Sequence, residues 1–230
     1  MMRVAGMSQR KTGPFTRALL WLGRRETKKL TGRKTTTEMI EPAQAYAHAP
    51  GLLLGYGLFE FAVAKAHRVP ERLKVLAELK AAALTQCEWC IDIGSPIAHR
   101  AGIEEAQLLA LPRYRESDRF SDLEKLVLDY AVAISSTPVS VPDELSAKLR
   151  EHLDDSQLVE LTNVIALENM RGRFNLALGI GSAGFSEGLV CVVPEAAPQP
   201  GAAAAPDAGA TADAARGAVL LPADKNGVAA

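Results

Sequence analysis

Residues 71–102, ERLKVLAELKAAALTQCEWCIDIGSPIAHRAG, decide how this chain folds. Leu73, Leu76, Leu79, Ala83 and Leu84 recur largely at three- and four-residue steps, the apolar stripe of a packed helix, and predict one over Glu71–Gln86. A second helix is expected from about Glu88 to Ala101, with Pro96 as a potential kink and Gly102, tolerant of positive φ, as its terminator. Two cysteines, Cys87 and Cys90, stand at the junction.

The texture continues on both sides. Pro50–His67 reads as a helix stopped by Pro70, and Glu104–Leu111 as a short one closed by Pro112. Ser121 with Glu124 forms a capping box opening Asp122–Ser135, whose Leu123, Leu126, Val127, Tyr130, Ala131 and Ile134 share a face. Pro142, followed by Asp143 and Glu144, suits a first helical turn. Asp154 or Asp155 starts a long last helix through Phe174 to Leu178. No run alternates convincingly as a strand beyond the short CVVP piece, so the expected architecture is an all-α helical bundle. Its limits are a helical domain over 36–193, a basic N-terminal arm over 1–35, and a disordered tail over 194–230, which is rich in Ala, Pro and Gly and poor in large apolar residues.

Composition bounds the function. At 230 residues, 48% hydrophobic and 23% charged, the chain suits one globular domain. The most apolar stretch, Pro50–Ala66, is interrupted by Glu60 and Lys65, so no membrane span is expected. Three cysteines argue against a secreted disulfide framework and for a reducing compartment, by default the cytoplasm. Residues 1–34 carry ten Lys or Arg against Glu26 alone. With no nucleic-acid motif, the arm is read as a solvated segment packing Phe15, Leu19 and Leu22 on the body or on another subunit. No cofactor is expected, and no metal, because structural zinc needs four ligands and no second Cys/His pair has suitable spacing.

Cys87 and Cys90, at i and i+3 of a helix start, lie about one turn apart on one face, where their sulfurs can bond. Backbone N–H groups at a helix N-terminus favour a thiolate, the form that attacks a peroxide or a disulfide. Trp89 is placed to shield one sulfur from water and limit overoxidation. The bland alternative is a pair of small buried apolar residues, and Cys191 reads as an ordinary strand or loop cysteine. Asp92 and Ser95 are unusual in a packed helix; a buried Asp92 needs partners, with Arg171 or Arg173 as candidates. In ENMRGRFN, Arg171 can pair with Glu168 and with Asn175, and Gly172 suggests close approach of another helix.

The run RLKVLAELKAAALTQCEWCIDIGSPIAHRAGIEEAQLLAL resembles the core of the alkylhydroperoxidase D and carboxymuconolactone decarboxylase superfamily, and FSDLEKLVLDYAVAISSTPVSVPDEL and VELTNVIALENMRGRFNLALGI resemble its C-terminal half. The resemblance covers roughly residues 40 to 190. It implies a helical bundle of the alkylhydroperoxidase D-like type that assembles as a trimer or hexamer. In the peroxidase branch it also implies a dithiol that reduces hydroperoxides, with Cys90 attacking peroxide, Cys87 resolving, and an external thiol or dithiol as reductant. The departures are specific. Where that branch places a histidine after the second cysteine this chain has Gly94, and where it places a glutamate before the first it has Val75. Asp92 and His99 fall off the face of Cys90 in a regular helix, although a kink at Pro96 could move His99. Glu78, on the preceding helix, is the candidate base.

Three functional classes follow. The leading expectation is a thiol-dependent peroxidase or disulfide reductase using Cys90, Cys87 and Glu78, with Trp89, Asp92 and Ser95 around them. The alternatives are a carboxymuconolactone decarboxylase-like enzyme indifferent to the dithiol, for which His67 and His99 are the histidines nearest the cysteines in sequence, and a non-catalytic redox-sensing or partner-binding helical oligomer.

Overall fold

A computed structural model describes residues 3–7, 12–34 and 41–195. The described residues are helical, with no strand among them: α1 (Pro14–Thr31), α2 (Pro42–Tyr46), α3 (Pro50–Lys65), α4 (Glu71–Thr85), α5 (Glu88–Arg100), α6 (Glu105–Ala110) running into a 3-10 turn at Leu111–Glu116, α7 (Asp122–Ser135), α8 (Asp143–Arg150) and α9 (Asp155–Leu178). Most of the expected disordered tail, residues 196–230, lies outside the described residues.

α4 is the axis of the bundle, packed against α5, α7 and α9. The stripe expected on one side of it understates its burial. Val75, Leu76, Ala77, Leu79, Ala81, Ala82 and Ala83 are all buried, because the four alanines let neighbouring backbones approach where larger side chains would hold them apart. Even Lys80 is buried, its ammonium bonded to Glu195 at 2.5 Å and set over the Tyr114 ring. That ion pair fastens Pro194 and Glu195, the first residues of the compositional tail, back onto the bundle.

Local signals act where they were expected. Ser121 and Glu124 close a capping box on α7, and Asp154 with Gln157 does the same for α9. α5 runs on through Pro96, and Gly102 follows it at φ +75°. In α1, Leu20 is buried and Leu19 packs beside it against Ala47 and Leu53, whereas Phe15 and Leu22 are exposed on this chain. α3 exposes Leu52, Leu58, Phe59 and Phe61 and buries Leu53 alone.

Candidate active site

The site forms where α4 turns into α5. Gln86 takes a left-handed conformation at φ 56°, and Cys87 N–H reaches back to Ala82 O at 3.1 Å, a tight helix-ending motif usually built on glycine. The chain reverses within a residue, and Cys87 becomes the N-cap of α5, its Sγ accepting from Cys90 N–H at 3.2 Å. Cys87 and Cys90 are joined by a disulfide, with Cα atoms 5.2 Å apart. Cys87 is 0% exposed and Cys90 5%, so what opening there is lies on the Cys90 side.

α9 supplies the side chain that meets them. A Cβ on Gly172 would lie 2.7 Å from Thr85 Oγ1, so the absence of one lets α9 close on the end of α4. Asn175, 1% exposed, is thereby carried onto the sulfurs, and its Nδ2 donates to Cys87 Sγ at 3.6 Å and to Cys90 Sγ at 3.7 Å. Its Oδ1 is buried without a partner among the described residues. Such an orphaned acceptor costs about 1–3 kcal/mol, so its retention beside a redox pair calls for a reason.

The other expected residues divide. Trp89 packs edge-on to Phe185 with ring centroids 5.6 Å apart, in the same core cluster as both cysteines. Asp92 does not reach Arg171 or Arg173. It accepts from the backbone N–H groups of Ala183 (2.7 Å), Phe185 (3.1 Å) and Ser186 (2.8 Å) and from the Ser186 hydroxyl (2.6 Å), organising the loop that carries Phe185. Burial alone would raise its pKa, but these bonds outweigh burial and hold it below the usual value. Ser95 Oγ donates to Ile91 O at 2.7 Å and is 0% exposed, a role within the helix. His67 and His99 bond to the backbone carbonyls of Lys65 and Val190. Cys191 is a loop residue.

Packing explains the two departures from the peroxidase pattern. A Cβ on Gly94 would lie 2.8 Å from Leu79 Cδ2, so a histidine there would require the end of the buried Leu79 side chain to shift. Val75 is 5% exposed, inside the core cluster that includes the cysteines.

Glu78, on α4, belongs to a charged cluster with Glu60 of α3 and with Glu168 and Arg171 of α9. Arg171 Nη1 binds Glu78 at 3.2 Å and Glu168 at 2.9 Å, while its Nε and Nη2 grip Glu60 at 2.9 and 2.5 Å. Arg171 does not pair with Asn175, which lies one turn further along α9. Burial raises the pKa of Glu78 against the pull of Arg171, and burial with the neighbouring carboxylates brings Glu168 to about 7. With its pKa near 7, Glu168 is the carboxyl of this cluster that holds a proton toward neutral pH. Tyr56, whose pKa burial raises, joins Glu60 and Arg171, and its ring stacks on Tyr46, which stacks in turn on Phe174. Among the described residues no group of three His, Cys, Asp or Glu is placed to hold a metal ion.

Sequence reasoning missed Asn175, Glu60 and Tyr56 as parts of this region. The available signal for Glu60 was a carboxylate inside the most apolar helix of the chain; for Asn175 it was a polar residue one turn after Arg171 on a helix otherwise packed against the cysteines.

The all-helical arrangement is the alkylhydroperoxidase D-like fold. The chain belongs to the carboxymuconolactone decarboxylase family, whose model matches residues 50–133. It is 40% identical over 124 residues to the uncharacterized protein YnjA of Escherichia coli (strain K12), a match covering 54% of this chain and 65% of YnjA. To the uncharacterized protein YdfG of Bacillus subtilis (strain 168) it is 32% identical over 105 residues, 45% of this chain and 71% of YdfG. Among solved structures, the debrominase Bmp8 in its apo form superposes with a TM-score of 0.65 at 18% identity, covering 78% of this chain and 91% of Bmp8. A putative antioxidant defence protein AhpD, ATU0492 from Agrobacterium tumefaciens, superposes with a TM-score of 0.57 at 21% identity, covering 65% of this chain and 98% of that one. At these identities the structural likenesses establish the fold.

Proposed function

We propose that this protein is a thiol-dependent peroxidase or disulfide reductase in which Cys90 and Cys87 are the reacting dithiol and a hydroperoxide is the substrate. The observation that carries this reading is the bonded pair at the N-terminus of α5, with Cys87 sealed and Cys90 the more open of the two. The Cys90 thiolate attacks the terminal peroxide oxygen, the O–O bond breaks, and the alkoxide leaves and takes a proton as the alcohol. The Cys87 thiolate then attacks the Cys90 sulfenic acid, forming the S–S bond and expelling hydroxide, which is protonated to water. An external thiol or dithiol returns two electrons. Glu78 is the proposed base: burial raises its pKa, and Arg171 ties it to Glu168, whose pKa of about 7 supplies a proton store near neutrality in place of the missing histidine.

The test is stopped-flow mixing of the reduced protein with cumene hydroperoxide. The expected result is loss of two thiols per chain into a Cys87–Cys90 disulfide, abolished in Cys90→Ser. A rate no faster than that of free cysteine would sink the peroxidase reading in favour of a redox-sensing module, the second reading. That alternative is favoured by Gly94 and Val75, where packing occupies both expected relay positions. Decarboxylase activity surviving in the double cysteine-to-serine variant would favour the remaining class.

Two further parts of the proposal concern context. α3 is apolar all round yet exposes Leu52, Leu58, Phe59 and Phe61, and a helix of that kind is ordinarily covered, so a homo-oligomer, trimeric or hexameric, is the proposed assembly. Among the described residues no helix is long and apolar enough to cross a membrane, and a reaction consuming external thiols suits the cytoplasm.

A further inference from the structure

We infer that Asn175 holds the reduced dithiol as a monoanion, its Nδ2–H donating to whichever sulfur carries the charge and its Oδ1 accepting the S–H of the other. This rests on the dithiol reading above and deepens it by naming the group that does part of the work of the absent histidine. Nδ2 is nearly equidistant from the two sulfurs, 3.6 Å from Cys87 and 3.7 Å from Cys90. Oδ1, on a side chain 1% exposed, has no partner among the described residues while the disulfide is closed, because a disulfide has no proton to donate. Reduction creates the donor that this oxygen lacks.

The other polar groups nearby are committed. Ser95 donates to Ile91 O, Asp92 holds the loop at 183–186, and His99 bonds to Val190 O. Lys80 and Glu195 pair with each other, Arg171 binds Glu60, Glu78 and Glu168, and Glu88 in the first turn of α5 is exposed. None of these supplies a counter-charge hydrogen-bonded to a sulfur, so a thiolate here depends on hydrogen bonds: Cys90 N–H at Cys87, the N-terminus of α5, and Asn175.

Equal reach to both sulfurs suits a cycle in which the charge moves. The amide donor stabilises the Cys90 thiolate before it attacks peroxide and the Cys87 thiolate before it resolves the sulfenic acid. In the return step an external thiolate attacks Cys90 Sγ, the S–S bond breaks, and its electron pair leaves on Cys87, where Nδ2–H and Cys90 N–H both receive it. A second external thiolate then attacks the sulfur of the first, releasing the Cys90 thiolate and an external disulfide.

The experiment measures thiol pKa by the pH dependence of iodoacetamide alkylation and of thiolate absorbance near 240 nm. It uses the full chain, reduced, in a Cys191→Ser background so that only the pair reports. Asn175→Leu keeps the volume without hydrogen bonds, and Asn175→Asp keeps the shape but replaces the donor with an acceptor. The expected parent value lies below that of free cysteine, about 8.5. Asn175→Leu is expected to raise it by about one unit, slowing alkylation at pH 7 about tenfold, and Asn175→Asp to raise it further. Folded variants with the parent's pKa overturn the inference. So does a parent value at or above about 8.5, which remains measurable if neither variant folds. No peroxide enters this measurement. The expected shifts in a protein inert to hydroperoxide would uphold the role of Asn175 and sink the peroxidase reading; unshifted variants in an active peroxidase would do the reverse.

Discussion

Replacing Gly94 tests whether the crossing of α5 over α4, rather than chance, excludes a histidine from the site. An added Cβ would lie 2.8 Å from Leu79 Cδ2 and 3.8 Å from Leu79 Cγ, and Leu79 is 2% exposed with no room to retreat into solvent. In a helix interior Gly→Ala gains about 1 kcal/mol of propensity, whereas overpacking a core contact costs about 1–3 kcal/mol. The net expectation for Gly94→Ala is a loss of up to about 2 kcal/mol. Leu79→Ala alone costs about 2–5 kcal/mol but removes the obstruction, and in that background Gly94→Ala should stabilise by about 1 kcal/mol. Urea denaturation of the four proteins in this cycle reads out the change of sign. If Gly94→Ala stabilises the parent chain by the full propensity gain, Leu79 yields freely and the packing account of the missing histidine is wrong. On the proposed peroxidase reading, Gly94→His with Leu79→Ala should speed peroxide reduction by roughly a hundredfold, the low end of what a positioned general base contributes.

Three other outcomes follow from the geometry. Glu168, with a pKa of about 7 in the fold against the ordinary 4.5 of a glutamate carboxyl, binds its proton more tightly folded than unfolded. Its stabilising contribution is therefore full below pH 4.5 and lost as pH rises through about 7, a change on the order of 3 kcal/mol that should disappear from urea midpoints measured across that range in Glu168→Gln. Gly172→Ala would set a Cβ 2.7 Å from Thr85 Oγ1 and 3.0 Å from Thr85 Cβ, and Thr85 is held by its bond to Ala81 O; a thermal scan should show a fall in Tm of about 2–8 °C, for a net cost of about 1–2 kcal/mol. Asp92→Ala should cost about 2–4 kcal/mol and open the 183–186 loop, seen as faster amide hydrogen exchange at Ala183, Phe185 and Ser186; unchanged exchange there would contradict the role given to this carboxylate. Because its folded pKa is depressed, that contribution is present above the ordinary aspartate value of 3.8 and is lost as pH falls below it.

Much of the architecture was legible because its causes are local. Ser121 with Glu124 caps α7 through residues three apart, Asp154 caps α9 in the same way, and Gly102 terminates α5 by its own backbone freedom. The placing of Cys87 and Cys90 at a helix start was equally readable, since the spacing within one turn brings the sulfurs together without help from the rest of the chain. Facing was less legible: α4 is buried on almost every side, and a stripe of leucines does not reveal that Lys80 and the alanines between are enclosed too. Asp92 shows the limit plainly. Its need for partners followed from its residue type, but the N–H groups that satisfy it lie some ninety residues downstream, beyond any local rule.

The sequence by itself thus determined the helices from α3 onward, the caps of α7 and α9 and the helix-start position of the dithiol, since backbone propensity, short-range hydrogen bonds and one-turn geometry act between neighbours in the chain. Only the tertiary structure decided what meets the dithiol and its helix: Leu79 against Gly94 where a histidine would stand, and Asn175 bridging both sulfurs. The physical reason is that these contacts depend on how closely α5 and α9 approach α4. That spacing is set by side-chain volumes on different helices, at Gly94 and Leu79 and at Gly172 and Thr85, acting jointly.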